Sequence, residues 1–153
     1  MADKDNGAAE STQQLQVEKL YLKDASFESP NSPAMFTEDW KPKVHFELNT
    51  QTNTLDTDLY DVVLSVTAEV KQDNKTAFLV EVQQAGIFRA VGFSDEELGG
   101  LLGSYCPNML YPYAREVVSD LVVKGGFPPL ILAPVNFDAL YAQHVAAQQE
   151  KQA

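Results

Sequence analysis

"DLYDVVLSVTAEVKQDNKTAFLVEVQQAGIFRAVGF", residues 58–93, is the stretch on which the fold turns. Its first half places Tyr60, Val62, Leu64, Val66, Ala68 and Val70 on one face of an extended chain and Leu59, Asp61, Val63, Ser65, Thr67 and Glu69 on the other, because strand side chains alternate. "QDNK" then reads as a turn, since Asp73 and Asn74 tolerate a positive φ or bond their own backbone. The return run puts Phe78, Val80 and Val82 inward by the same count, and Glu81 opposite them. Gly86 within it suggests a glycine bulge.

Working outward, "KVHFELNTQ" alternates Val44, Phe46 and Leu48 against His45, Glu47 and Asn49. Three successive strands joined by turns make an antiparallel meander. "QVEKLYLKDASFE" offers a fourth, with Leu20 and Leu22 on one face and Val17, Lys19, Tyr21 and Lys23 on the other. Pro30 and Pro33 in "SPNSP" exclude a regular helix or a central strand there, and "AMFTEDW" has room for one or two helical turns before Pro42.

After Phe93 the period changes. Ser94 and Glu97 stand at capping-box spacing, but Gly99, Gly100 and Gly103 limit the segment to a short helix or irregular turn. From Pro107 the period is helical, with Leu110, Ala114, Val117, Val118 and Leu121 on one side and Gly125 and Gly126 as the stop. "YCPNMLYPYARE" therefore reads as the start of that helix, with Pro107 at its first position. "FPPLILAPVNF" cannot be helical with prolines at 128, 129 and 134, although its apolar content needs cover. A last helix presents Leu140, Tyr141, His144 and Val145, with Asn136 as its candidate cap. The fold class is α+β: a disordered tail over 1–13, one domain over 14–146 and a flexible tail over 147–153.

The formal charge of -11, from 22 acidic against 11 basic side chains, repels phosphate backbones and anionic lipid and favours a cationic protein partner. The N-terminus lacks the basic start and apolar core of a signal peptide, and no run approaches a membrane span. A single cysteine cannot form an internal disulfide, so a soluble cytoplasmic protein is expected.

Candidate chemistry is thin. Cys106 would need a base or a helix N-terminus to lower its pKa, and neither His45 nor His144 is near it in sequence, so packing is the stronger reading. No CxxC, HExxH or GxxxxGK pattern occurs, and two histidines and one cysteine make a poor zinc set. Arg115 and Glu116 point about 100 degrees apart on a helix, a poor direct pair, while Tyr111 and Tyr113 suit cores or interfaces. Asp24, Glu28 and Glu81 are acids that neighbouring strands can bring together as a patch for a cationic segment. Val63, Leu59, Leu79 and Leu20 fall on the face opposite the inward stripe. That surplus suggests subunit packing or an apolar ligand; alternatively, helices cover one face and the proline-rich segment the other.

"KLYLKDASFE", "FLVEVQQAGIF", "SYCPNMLYPYARE" and "FPPLILAPVNFDALY" resemble, in order, the corresponding runs of the SecB family of bacterial protein-export chaperones, from about Val17 to about Tyr141. The resemblance implies a four-stranded antiparallel sheet with helices on one side, assembled as a homotetramer that is a dimer of dimers. It implies no catalysis, no cofactor and no metal of the protein's own. It also implies a holding chaperone that binds unfolded secretory precursors, keeps them translocation-competent and delivers them to the SecA motor ATPase, without nucleic acid or direct membrane insertion. Asp24, Glu28, Leu79 and Glu81 match the family's docking positions for the motor's zinc-bearing C-terminal tail. Trp40, with Phe36, Phe78 and Phe137, would line the client groove. Cys106, Pro107, Leu110, Tyr111, Tyr113 and Arg115 would belong to the helix that packs across the assembly. The end after Tyr141 is richer in glutamine and alanine than in acids, a departure from the family's pattern.

Overall fold

The computed structural model describes residues 12–152, so most of the expected N-terminal tail lies outside the described residues. Strands β1 (Gln14–Glu28), β2 (Lys43–Asp56), β3 (Leu59–Gln72) and β4 (Lys75–Val91) form one antiparallel sheet in the order β1-β4-β3-β2. A short 3-10 turn at Ala34–Thr37 interrupts the crossover from β1 to β2. The β3–β4 hairpin closes on Asp73 and Asn74, with φ of 53° and 64°, the two-residue turn whose twist matches the strands it joins.

The inward stripe is as the alternation predicts. Val62, Leu64, Val66, Ala68, Val70, Phe78, Val80 and Val82 are all buried. Two features depart from simple alternation. Register shifts in β1 lie between Val17 and Lys19 and between Leu22 and Asp24, so Val17 (opposite Phe88) and Leu20 (opposite Gly86) share one side. The extra residue resets parity. Leu20 therefore belongs with Val62 on the inner face and leaves the outer-face surplus to Leu59, Val63 and Leu79. Gly86 itself is in regular register, and a Cβ there would fall 2.9 Å from the Phe88 ring; it is a packing glycine and not a bulge.

Helix α1 (Asp95–Gly100) starts with the capping box formed in full: Ser94 Oγ accepts from the Glu97 amide at 3.1 Å, and Glu97 Oε1 accepts from the Ser94 amide at 2.9 Å. The chain then widens into a π-turn (Leu101–Tyr105) and runs on without a break as α2 (Cys106–Lys124). This corrects the reading of Cys106 as a helix start. Tyr105 is already helical and the Cys106 amide donates to Leu101 O, so no free N-terminus exists there. Cys106, Leu110, Ala114, Val118 and Val122 make one fully buried stripe at intervals of four, which lays α2 along β4 and β3.

Residues 127–136 cross back without regular structure to α3 (Phe137–Gln152), where Asn136 Oδ1 accepts from the Ala139 amide at 3.0 Å. The stretch expected as a flexible C-terminal tail is thus helical as far as Gln152. Among the described residues no helix is long and apolar enough to cross a membrane.

Candidate functional site

The outer face carries the charges. Register sets Glu28 opposite Leu79, Ser26 opposite Glu81 and Asp24 opposite Gln83, so Asp24, Glu28, Leu79 and Glu81 share that face on two adjacent strands. Asp24 and Glu28 span about 13 Å along β1, with neighbouring strands about 4.8 Å apart. All three acids are exposed while Leu79 is half-buried, and among the described residues none of the three is in an ion pair. The patch extends onto the neighbouring strands. Glu69 on β3 lies opposite Leu79, and Glu47 on β2 opposite Thr67, which pairs with Glu81. Glu69 takes a hydrogen bond from Thr76 Oγ1 at 3.1 Å and stands 3.9 Å from Lys71 Nζ. Strand alternation already put Glu69 on this face; the missing information was which residue of β4 it sits beside.

Toward the middle of the same face Tyr21 covers what would otherwise be open. It sits in the row of Ala85 and Val63, and its hydroxyl donates to Asp61 Oδ1 at 2.6 Å, so the ring crosses β4 over the small Ala85. That hydrogen bond, with burial and the Asp61 charge adding, pushes the Tyr21 phenol up to about 12.

The inner face ends in an aromatic cluster that sequence reasoning missed at its centre. Phe127, just after α2, has Phe78 at 4.9 Å, Phe36 at 5.0 Å, Trp40 at 5.5 Å and Phe27 at 6.4 Å between ring centroids. Phe36, Trp40 and Phe78 are thereby brought together. Phe78 is 1% exposed and forms the floor, whereas Phe36 is 49% exposed and Trp40 half-buried. Two glycines admit the rings: a Cβ on Gly125 would fall 2.5 Å from Phe27 Cε1, and Gly126 has φ of +94° beside the Phe36 ring. The crossover is tied down by Gln72, whose Oε1 accepts from the Lys41 amide at 2.8 Å, and by Asn31 Nδ2 donating to Thr76 O at 2.9 Å.

Phe137 does not join this cluster. It packs edge-on against Tyr111 at 5.5 Å and borders a separate groove of about 520 Å³ between β2, the π-turn and α3. Tyr111 also donates to Ala133 O at 2.7 Å, pinning the proline-rich strap, from which Ile131 projects 85% exposed. Of the long-helix residues, Cys106, Pro107, Leu110 and Tyr111 are buried in the core; Tyr113 is exposed and Arg115 lies over the Tyr111 ring at 5.0 Å. Burial pushes the Cys106 thiol up to about 12, the reverse of what a nucleophile needs.

A family description, Preprotein translocase subunit SecB, matches residues 8–148. Protein-export protein SecB of Methylococcus capsulatus is 61% identical over 140 residues, covering 91% of this chain and 90% of its own. The protein of the same name from Nitrosococcus oceani is 56% identical over 141 residues, covering 91% and 84%. Among solved structures, a Mycobacterium tuberculosis SecB-like chaperone, in complex with a ChAD peptide from the HigA1 antitoxin, superposes with a TM-score of 0.65 at 20% identity over 79% of this chain and 90% of that one, a likeness of fold.

Proposed function

The chain belongs to the SecB family, and from that premise we propose that the two faces of its sheet divide the work of a protein-export chaperone. As a family member it is a cytoplasmic chaperone and not an enzyme. SecB-family chaperones bind unfolded precursors and interact with the SecA motor. The inner-face aromatics, reached through Phe36 and Trp40 and, in the second groove, beside Phe137, take apolar segments of an unfolded precursor. The outer-face acids Asp24, Glu28 and Glu81, with Leu79 beside them, take the cationic C-terminal tail of the motor. The observation that carries this division is the register that puts all four of those residues on the face away from the helices.

Each apolar segment contributes roughly 25 cal/mol per Å² of area removed from water before binding costs are subtracted. Several weak segments held at once give a long-lived complex with no single strong contact. The motor tail is held differently, by Coulomb attraction that salt screens and by hydrogen bonds that set its register.

A double dissociation tests the division. Trp40→Ala weakens calorimetric binding of unfolded precursors and leaves motor-tail binding intact; Glu81→Lys does the opposite. One variant weakening both equally would sink the two-surface reading. For assembly, the exposed Tyr105 at the end of the π-turn and Tyr113 and Val123 on α2, together with β1 at the sheet edge, support a homotetramer built as a dimer of dimers. Sedimentation then gives four times the 16.9 kDa chain; a client-binding monomer contradicts it.

A further inference from the structure

Helix α3 is a cantilever. Phe137 is buried, Asp138 accepts a hydrogen bond from the Ser104 hydroxyl of the π-turn, and Tyr141 is half-buried; from Ala142 onward every residue through Lys151 except Val145 is exposed. The strap before it has no regular hydrogen bonding, so the direction of α3 is set within its first five residues.

The seat of Tyr141 is built from missing side chains. A Cβ on Gly103 would fall 2.5 Å from Tyr141 Cε1, and one on Gly99 would fall 2.6 Å from its hydroxyl oxygen, where ordinary carbon contacts lie at about 3.5–4.0 Å. The glycines that weaken the helix after Ser94 are thus the socket for a ring from α3. Gly99, Gly103 and Tyr141 also line the groove of about 520 Å³, with Thr52 of β2 and Gln148 of α3 on its opposite walls. Phe137 and Tyr141 are the two points that fix the helix axis. At 1.5 Å rise they stand about 6 Å apart, and Gln148 lies about 16 Å from Phe137, so a shift of about 1 Å at Tyr141 becomes about 3 Å at Gln148.

The geometry points to Tyr141 as a positioning residue of the chaperone: its ring, seated on Gly99 and Gly103, sets the distance of α3 from β2 and thereby the bulk of apolar client side chain that the groove beside Phe137 accepts. This rests on the holding reading above.

The test measures width and selection separately. Spin labels on Thr52→Cys and Gln148→Cys report the groove, with labelled subunits diluted in unlabelled protein; buried Cys106 stays unlabelled. Gly103→Ala, which forces the ring back by about 1 Å, shifts the label distance by about 3 Å. Tyr141→Ala broadens the distribution, and Tyr141→Phe, which keeps the ring, restores the wild-type distance. Two unfolded clients differing only in Trp or Ala at one apolar position are then titrated. Their affinity ratio changes on the order of tenfold in Gly103→Ala and Tyr141→Ala and returns in Tyr141→Phe, a rescue that loss of stability alone does not produce. If Gly103→Ala does not fold, the Tyr141 pair decides the matter. An unchanged distance, or a shifted distance with an unchanged ratio, overturns the positioning role while holding stands. Wild-type protein that holds neither client overturns the holding reading, and the selectivity with it.

Discussion

The two faces of β3 and β4 share one backbone and obey different rules. Val62, Leu64 and Val66 point at the helices and are fully buried; Ser65, Thr67 and Glu69, interleaved with them, lie half-buried on a face that, among the described residues, no helix covers. On the first face a side chain is judged by how it fills space, on the second by the charge it shows at the surface. The boundary is not absolute: Asp61 and Val63 are buried on the outer side because Tyr21 reaches across β4 to them. The lesson is that core packing and surface charge are stored on alternate residues, so one can be altered with little effect on the other.

The strongest way to break that contrast is a matched pair on β4. Phe78→Ala, which empties space beneath Phe127 and Phe27, costs about 3–5 kcal/mol in urea unfolding, whereas Glu81→Ala, three residues along, stays within about 0.5 kcal/mol. Comparable losses would mean that the outer face is covered too. Next comes charge reversal. Glu81→Lys lowers motor-tail affinity by about 1–2 kcal/mol, Glu81→Gln by less, and added salt narrows the difference; equal affinities across the three would remove Glu81 from the site.

Tyr21 sharpens the exception. Tyr21→Phe removes the hydrogen bond to Asp61 and costs about 1 kcal/mol at neutral pH. Its phenol is raised in the folded state, so the neutral form is the one the fold favours. That stability is fully present below the ordinary tyrosine value of about 10 and is lost as pH rises to about 12. The gap between wild type and Tyr21→Phe in denaturant melts therefore closes over that window, while buried Cys106 destabilises both proteins alike on the alkaline side. A gap constant through pH 12 would deny the Tyr21–Asp61 bond its role. The smallest effect belongs to Glu69→Gln. Because its carboxylate already has Thr76 and Lys71 as neighbours, its loss weakens motor-tail binding by a few tenths of a kcal/mol, less than Glu81→Gln.

Much of this was legible in the chain. The inward stripes of β3 and β4 come from a period of two over long runs, the turn from Asp73 and Asn74, and the α1 start from Ser94 and Glu97. Each is a local property. The acidic site was legible residue by residue through family resemblance, but its extension to Glu69 and Glu47 was not, because it needs the pairing of β2 with β3 and of β3 with β4. The aromatic site was half legible. Trp40, Phe36 and Phe78 follow from the family resemblance, but Phe127 hides in a proline-rich run whose composition says only that it is not helical, and Phe137 lies beside a different groove.

By itself, then, the sequence determined the sheet, its buried face, the two-residue turn, the capped helix start and the acidic character of the outer face, since alternation, capping and charge depend on neighbours a few residues away. Tertiary structure decided the rest. The bulge that returns Val17 and Leu20 to one side depends on which residues of β4 they pair with. The π-turn that carries the chain through Cys106 places glycines where a ring from α3, about forty residues on, comes to rest. The gathering of four rings around Phe127 joins β1, the crossover, β4 and the end of α2. Those outcomes are contacts between segments far apart in the chain, and packing selects them only after the strands have been brought into register.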